Sequence, residues 1–125
     1  MCIRDSTFRA LASHLRGDTA ALAALLPAEE ARQAWLDRWQ EALKAEGRDA
    51  AAVADGMDQV NPLYIPRNHL VEEALTAAEA QGDLAPFNKL LLRVTQPFDA
   101  QPDSSAYTEP APEDFTDHYQ TFCGT

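Results

Sequence analysis

Three side chains close together in the sequence have the types that bind a divalent metal ion. His69, Glu72 and Glu73 are three and four residues apart, which places them on one face of a predicted helix. The spacing differs from the H-E-x-x-H pattern of zinc proteases. Acidic side chains near a helix N-terminus are also favourable on electrostatic grounds alone. We therefore favour a solvated helix face, and predict no metal site here.

A second candidate for chemistry is Cys123, the third residue from the C-terminus. A thiol near a chain end is accessible to oxidants and to other thiols, which makes Cys123 a candidate redox residue. The acidic residues that precede it disfavour the reactive thiolate, so the residues alone give this role limited support. Cys2 is the only other cysteine, and two cysteines do not make a disulfide framework.

Other residues carry no recognisable catalytic pattern. His14 and His118 have no Ser, Cys or Asp neighbour at a catalytic spacing, and the sequence holds no glycine-rich phosphate loop. Trp35 and Trp39 are four residues apart and are predicted to lie in the core rather than to stack on a ligand.

The charge excludes several classes of partner. The 125 residues include 20 acidic and 10 basic ones, a net charge of −10. Nucleic acids and anionic membranes attract basic surfaces, so neither is an expected partner. No apolar run approaches the ~20 residues that span a bilayer, and no secretory signal is present. These features predict a cytoplasmic protein.

The elements that position these residues are mostly helices. Residues 1–6 resemble a translated sequencing adaptor or a disordered leader, and residues 7–97 show five to six amphipathic or alanine-rich helices. Gly17 and Gly82 are predicted to end helices in the left-handed conformation, and Asp49 is predicted to cap the start of another helix. Segment 61–68 contains two prolines and is predicted as an extended, partly buried connection. Residues 98–125 hold six acidic residues and no basic one, and we predict an extended tail anchored by its aromatic rings.

The sequence N-P-L-Y-I-P-R-N of segment 61–68 resembles the N-P-x-Y-x-x-R-N motif of the selenoprotein O (YdiU-type) family; the matching residues are Asn61, Pro62, Tyr64, Arg67 and Asn68. The family's A-E-x-G-D helix end is similar to the sequence that ends in Gly82 and Asp83, with one extra residue here. Its P-Y-D-E-Q-P turn is similar to P-F-D-A-Q-P, which contains Asp99, Gln101 and Pro102. Cys123 matches the place where family members carry Cys or selenocysteine.

This sequence departs from the family pattern at two positions of the turn. Phe98 replaces the usual Tyr and Ala100 the usual Glu, so a role of that hydroxyl or carboxylate is absent here. The motif residues that do match are predicted to be structural.

The resemblance implies a protein-kinase-like (pseudokinase) fold, of which this chain is the helical C-terminal portion. It implies transfer of AMP from ATP to Ser, Thr or Tyr hydroxyls of protein substrates, with Mg²⁺ or Mn²⁺ bridging the phosphates. The family's nucleotide-binding, metal-binding and catalytic residues belong to an upstream domain and have no matching position here, so we expect the chain alone to be inactive. The resemblance also implies a disulfide between Cys123 and an upstream cysteine.

An alternative function from a different class is a stand-alone helical interaction module that binds a basic partner through its acidic, aromatic tail. That hypothesis predicts a stable, protease-resistant core for the isolated chain. The fragment hypothesis predicts marginal stability and an exposed apolar patch, because faces that met the upstream domain are uncovered.

Overall fold

A computed structural model describes residues 3–120 of the chain, with the side chains of residues 3–5 and 116 left aside. Within this part the chain forms seven α-helices and one 3₁₀ turn, and no β-strand, which confirms the mostly α fold class. None of these helices is both long enough and apolar enough to cross a membrane. The chain divides between Leu63 and Tyr64 into two compact units.

The first unit contains four helices: α1 (Ile3–Leu15), α2 (Ala20–Leu25), α3 (Glu29–Ala45) and α4 (Ala50–Val60). Its core is a small cluster of alanine and leucine side chains: Ala10, Leu11, Leu22, Leu25 and Leu36. Arginines in α1 and directly after it pair with aspartates of α4, with 3.2 Å between Arg9 and Asp58 and 2.7 Å between Arg16 and Asp55. The unit therefore combines a small leucine core with ion pairs at its edge.

Residues predicted from the sequence set the helix ends in this unit. Gly17 has a φ of +98°, a left-handed conformation that glycine adopts readily, two residues after the end of α1. The Asp49 carboxylate accepts a hydrogen bond of 2.9 Å from the Ala52 N–H and so caps α4, as predicted.

One prediction for α3 is wrong. Trp35 was expected in the core, yet it is 44% exposed, while Leu36 is 2% exposed. Leu36 belongs to the core cluster, and Trp39, three residues later, packs against it. The buried stripe of α3 therefore contains Leu36 and Trp39 but not Trp35. The two indole rings stack with their centroids 5.5 Å apart.

The second unit contains α5 (Asn68–Gln81) and α6 (Ala85–Thr95), which pack against each other through Ala74 and Leu90. Gly82 ends α5 with a φ of +65°. The Asp83 carboxylate accepts a hydrogen bond of 2.9 Å from the Ala85 N–H at the start of α6. The Gly-Asp pair thus reverses the chain between the two helices.

Residues after α6 form a tail that folds back on the second unit. The tail contains a 3₁₀ turn at Ser105–Tyr107 and a six-residue helix, α7 (Glu113–His118), where the sequence predicted an extended chain. Pro112 directly precedes α7, and Glu113 and Asp114 lie in its first turn, where acidic groups favour a helix.

Candidate functional site

The two motif segments of the second unit meet at Tyr64. Its side chain is buried, and its hydroxyl accepts a hydrogen bond of 2.9 Å from the Gln101 N–H. The Tyr64 N–H donates to the Pro97 carbonyl over 3.3 Å. The segment before α5 and the turn after α6 are therefore joined by contacts to main-chain atoms.

Arg67, the residue before α5, holds the 3₁₀ turn of the tail. Its Nε donates to the Tyr107 carbonyl over 3.4 Å, and its Nη2 donates to the Thr108 carbonyl over 3.1 Å. A guanidinium presents its donors as a planar fork, so it suits two neighbouring carbonyl oxygens. This places a motif residue in contact with the tail 40 residues further along the chain.

Arg93, near the end of α6, makes a second set of contacts with the tail. Its Nε donates to the Ser104 hydroxyl oxygen over 3.0 Å, and its Nη2 donates to the Pro102 carbonyl over 3.3 Å. Ser104 is buried, and its hydroxyl donates to the same Pro102 carbonyl over 2.9 Å. The guanidinium also lies 5.1 Å from the centroid of the Tyr107 ring, within cation–π range.

Arg93 and Ser104 belong to no motif of the sequence. Arg93 interrupts the apolar run of residues 90–94 and is the last basic residue before the acidic tail, and this position was the available signal. The Ser104 contact depends on how the turn folds, which spacing alone does not reveal.

The aromatic side chains at the end of the tail lie on α5. The Phe115 ring packs edge-on against His69 with 5.9 Å between centroids, and it stacks on Tyr119 at 4.8 Å. The Tyr119 hydroxyl donates to a Glu72 carboxylate oxygen over 3.3 Å. Phe115 and Tyr119 are therefore two tail rings that contact side chains of α5.

These contacts change the titration of two groups. Desolvation, and then the charge of Arg67, lower the pKa of His69. Desolvation and the neighbouring Glu72 carboxylate raise the pKa of the Tyr119 phenol. His69 and Glu72, two of the three side chains considered as metal ligands, therefore face tail rings.

The remaining motif residues occupy ordinary structural positions. Asn61 belongs to the first unit, where its side chain donates to the Met57 carbonyl over 2.7 Å and its carbonyl accepts from Arg9 over 2.8 Å. Gln101 donates through its side chain to the Gln96 carbonyl over 3.0 Å. Pro62 is half-buried, and Asn68 and Asp99 are exposed. Cys123 lies outside the described residues.

The described residues do not fit a nucleotide–metal site. No group of three or more His, Cys, Asp or Glu side chains in residues 3–120 is arranged to hold a metal ion. The sequence has no glycine-rich phosphate loop either.

The described residues of each unit form an apolar groove. In the first unit, a groove of about 320 Å³ is lined by residues that include Leu26, Pro27, Ala31, Trp35 and Leu36. In the second unit, a groove of about 190 Å³ lies between α5 and α6 and includes Val71, Leu75, Phe87, Leu90 and Leu91. Apolar surface of this kind is typical of interaction sites.

Comparison with known proteins gives a consistent assignment. Residues 5–95 match the family described as protein adenylyltransferase SelO. The protein nucleotidyltransferase YdiU of Rhodococcus jostii is 56% identical over 119 residues, which are 95% of this chain and 23% of that protein. The corresponding protein of Sphingopyxis alaskensis is 52% identical over 94% of this chain and 24% of its own length. No solved structure matches.

The chain spans about a quarter of the length of the curated relatives that it matches. The family match nevertheless covers well over half of the chain, and it includes the motif residues from Asn61 to Asp83. The chain belongs to the SelO family of protein adenylyltransferases.

Proposed function

We propose that this chain is the C-terminal part of a protein adenylyltransferase that transfers AMP from ATP to Ser, Thr or Tyr hydroxyls of proteins. The observation that carries the proposal is the family match over residues 5–95, together with relatives about 50% identical that are named protein nucleotidyltransferases. Because those relatives are about four times longer, a stand-alone interaction module has less support.

The chemistry of transfer belongs, in this proposal, to an upstream kinase-like domain that binds ATP and Mg²⁺ or Mn²⁺. The chain alone is then inactive, and its protein substrates are bound by the complete enzyme.

The part played by this chain is structural and redox-related. Tyr64, Arg67 and Arg93 fix the tail on the second unit through hydrogen bonds to its main chain and to Ser104. Tyr119, the last tail residue with a described anchoring contact, lies four positions before Cys123. Anchoring the tail limits where the Cys123 thiol can reach, which would favour one disulfide partner in the upstream domain.

The experiment uses the complete protein, obtained by joining this chain to its upstream reading frame. It is incubated with a protein mixture, Mg²⁺ and ATP labelled either at the α- or at the γ-phosphate. We expect α-label, and no γ-label, to become protein-bound, and the 125-residue chain alone to transfer neither. Transfer of the γ-label would indicate a kinase and overturn AMP transfer, whereas α-label transfer by the chain alone would refute its inactivity.

A further inference from the structure

The groove between α5 and α6 exposes large apolar side chains. Leu75, Phe87 and Leu91 line it and are 52%, 42% and 45% exposed. Leu84, at the junction of the two helices, is 56% exposed. Side chains of this size are normally buried when they are adjacent on one face, so the groove has the character of an uncovered interface.

The described tail does not cover this groove. All residues that line it lie between Pro66 and Val94. The tail instead contacts His69 and Glu72 on α5, and Arg93 on α6. The described tail therefore leaves the groove open to another segment.

The charge of the second unit restricts the chemistry of that segment. From Tyr64 onward the sequence has ten acidic residues and three basic ones. Two of those three, Arg67 and Arg93, donate hydrogen bonds to the tail. A complementary partner would present apolar side chains to the groove and lysine or arginine side chains to its surroundings.

The length of the relatives indicates where such a segment comes from. This chain accounts for 23% of the Rhodococcus jostii protein and 24% of the Sphingopyxis alaskensis protein. About three-quarters of a protein of that length lies outside the chain, and it is covalently linked, so its effective concentration at the groove is high.

We propose that the α5–α6 groove is the surface on which the upstream part of the same polypeptide docks, through an apolar segment flanked by basic residues. The inference rests on the proposed place of this chain in a longer adenylyltransferase. It does not depend on which group that enzyme transfers.

The test compares cysteines at two adjacent positions of α6. Leu91 lines the groove, whereas Leu92 does not, and the two are similarly exposed at 45% and 48%. Leu91→Cys and Leu92→Cys are each made in the 125-residue chain and in the complete protein, with Cys2 and Cys123 replaced by Ser. The rate of maleimide modification at each position is read by mass spectrometry.

In the isolated chain we expect both cysteines to react at similar rates. In the complete protein Leu91→Cys should react at least about tenfold more slowly than in the isolated chain, the protection given by a docked state about 1.4 kcal/mol more stable than the open one. Leu92→Cys should change by less than about threefold.

Three results would overturn the proposal. In the first, Leu91→Cys reacts equally fast in the complete protein and in the isolated chain. In the second, both positions are slowed equally, so the covering is not specific to the groove. In the third, Leu91→Cys in the isolated chain is protected increasingly as the protein concentration rises, which identifies a second copy as the occupant.

AMP transfer is measured in parallel on the complete protein without substitutions. Protection of Leu91→Cys without AMP transfer would support docking and count against the proposed function. AMP transfer without protection would support the proposed function and overturn docking at this groove.

Discussion

Replacing Tyr64 with Phe tests whether the contact between the two motif segments stabilises the second unit. Tyr64 is 3% exposed, and its hydroxyl accepts a hydrogen bond of 2.9 Å from the Gln101 N–H. Phe keeps the ring and its volume, so the substitution opens no cavity. The hydrogen bond from the Tyr64 N–H to Pro97 is also kept, since it belongs to the main chain.

The expected loss of stability depends on whether the Gln101 N–H finds another hydrogen-bond acceptor. A buried donor that loses its acceptor costs about 1–3 kcal/mol. Gln101 is only partly buried, so water can replace the hydroxyl in part, and we expect the lower end, about 1–1.5 kcal/mol. For a unit of this size, such a loss lowers Tm by roughly 4–12 °C.

The assay follows each unit separately, because two compact units need not unfold together. Amide hydrogen exchange of residues 64–120 is measured with thermal unfolding by circular dichroism. In Tyr64→Phe, the Gln101 amide should exchange about tenfold faster, the factor that corresponds to 1.4 kcal/mol.

Tyr107→Phe is the matched control. Tyr107 contributes its ring to Arg93 and its carbonyl to Arg67, and Phe keeps both contacts. We expect its Tm to stay within about 2 °C of the wild type, as for surface substitutions generally. An unchanged Gln101 exchange rate in Tyr64→Phe, or an equal loss of Tm in Tyr107→Phe, would refute the reasoning.

Three further substitutions test the contacts of Arg93 with the tail, the His69 contact and the core of the first unit. Arg93→Lys keeps the charge but loses the planar fork, so limited proteolysis should cut the tail faster, with a stability loss of about 1–2 kcal/mol. Burial lowers the pKa of His69 in the folded chain. The unfolded chain therefore binds more protons than the folded chain as the pH falls through about 6.5. Urea denaturation should therefore show stability falling from pH 7.5 to 5.5, and falling less steeply in His69→Gln. Leu36→Ala removes a fully buried side chain and should cost about 2–5 kcal/mol in thermal unfolding, whereas Trp35→Ala, at 44% exposure, should cost less than half as much.

Most of the fold could be predicted because its determinants are local. Apolar spacing predicted the helices up to residue 97, and the cap at Asp49 and the left-handed Gly82 lie where the sequence placed them. The buried face of α3 could not be predicted in the same way, because two apolar stripes of this helix share Trp39. One stripe contains Trp35, and the other contains Leu36. Which stripe is buried depends on α1 and α2, whose leucines pack with Leu36.

The candidate site was predictable in its residues but not in its contacts. The motif resemblance singled out Tyr64, Arg67 and Gln101, yet nothing in their spacing shows that they join the start of α5 to the tail. Arg93 and Ser104 belong to the same network without belonging to the motif. Their positions depend on the turn after α6, where Asp103 has a φ of +52°, a conformation that few non-glycine residues adopt.

The atoms that form this network explain how the turn after α6 tolerates the departures from the family pattern. Tyr64 contacts the Gln101 N–H and the Pro97 carbonyl, and Arg67 contacts two further carbonyls. These bonds depend on the course of the main chain, not on the side chains at positions 98 and 100. Phe98 and Ala100 can therefore replace the usual Tyr and Glu while these hydrogen bonds are kept. The same reasoning predicts that a proline at position 101, which removes the N–H that Tyr64 binds, disrupts the tail more than any other substitution at that position.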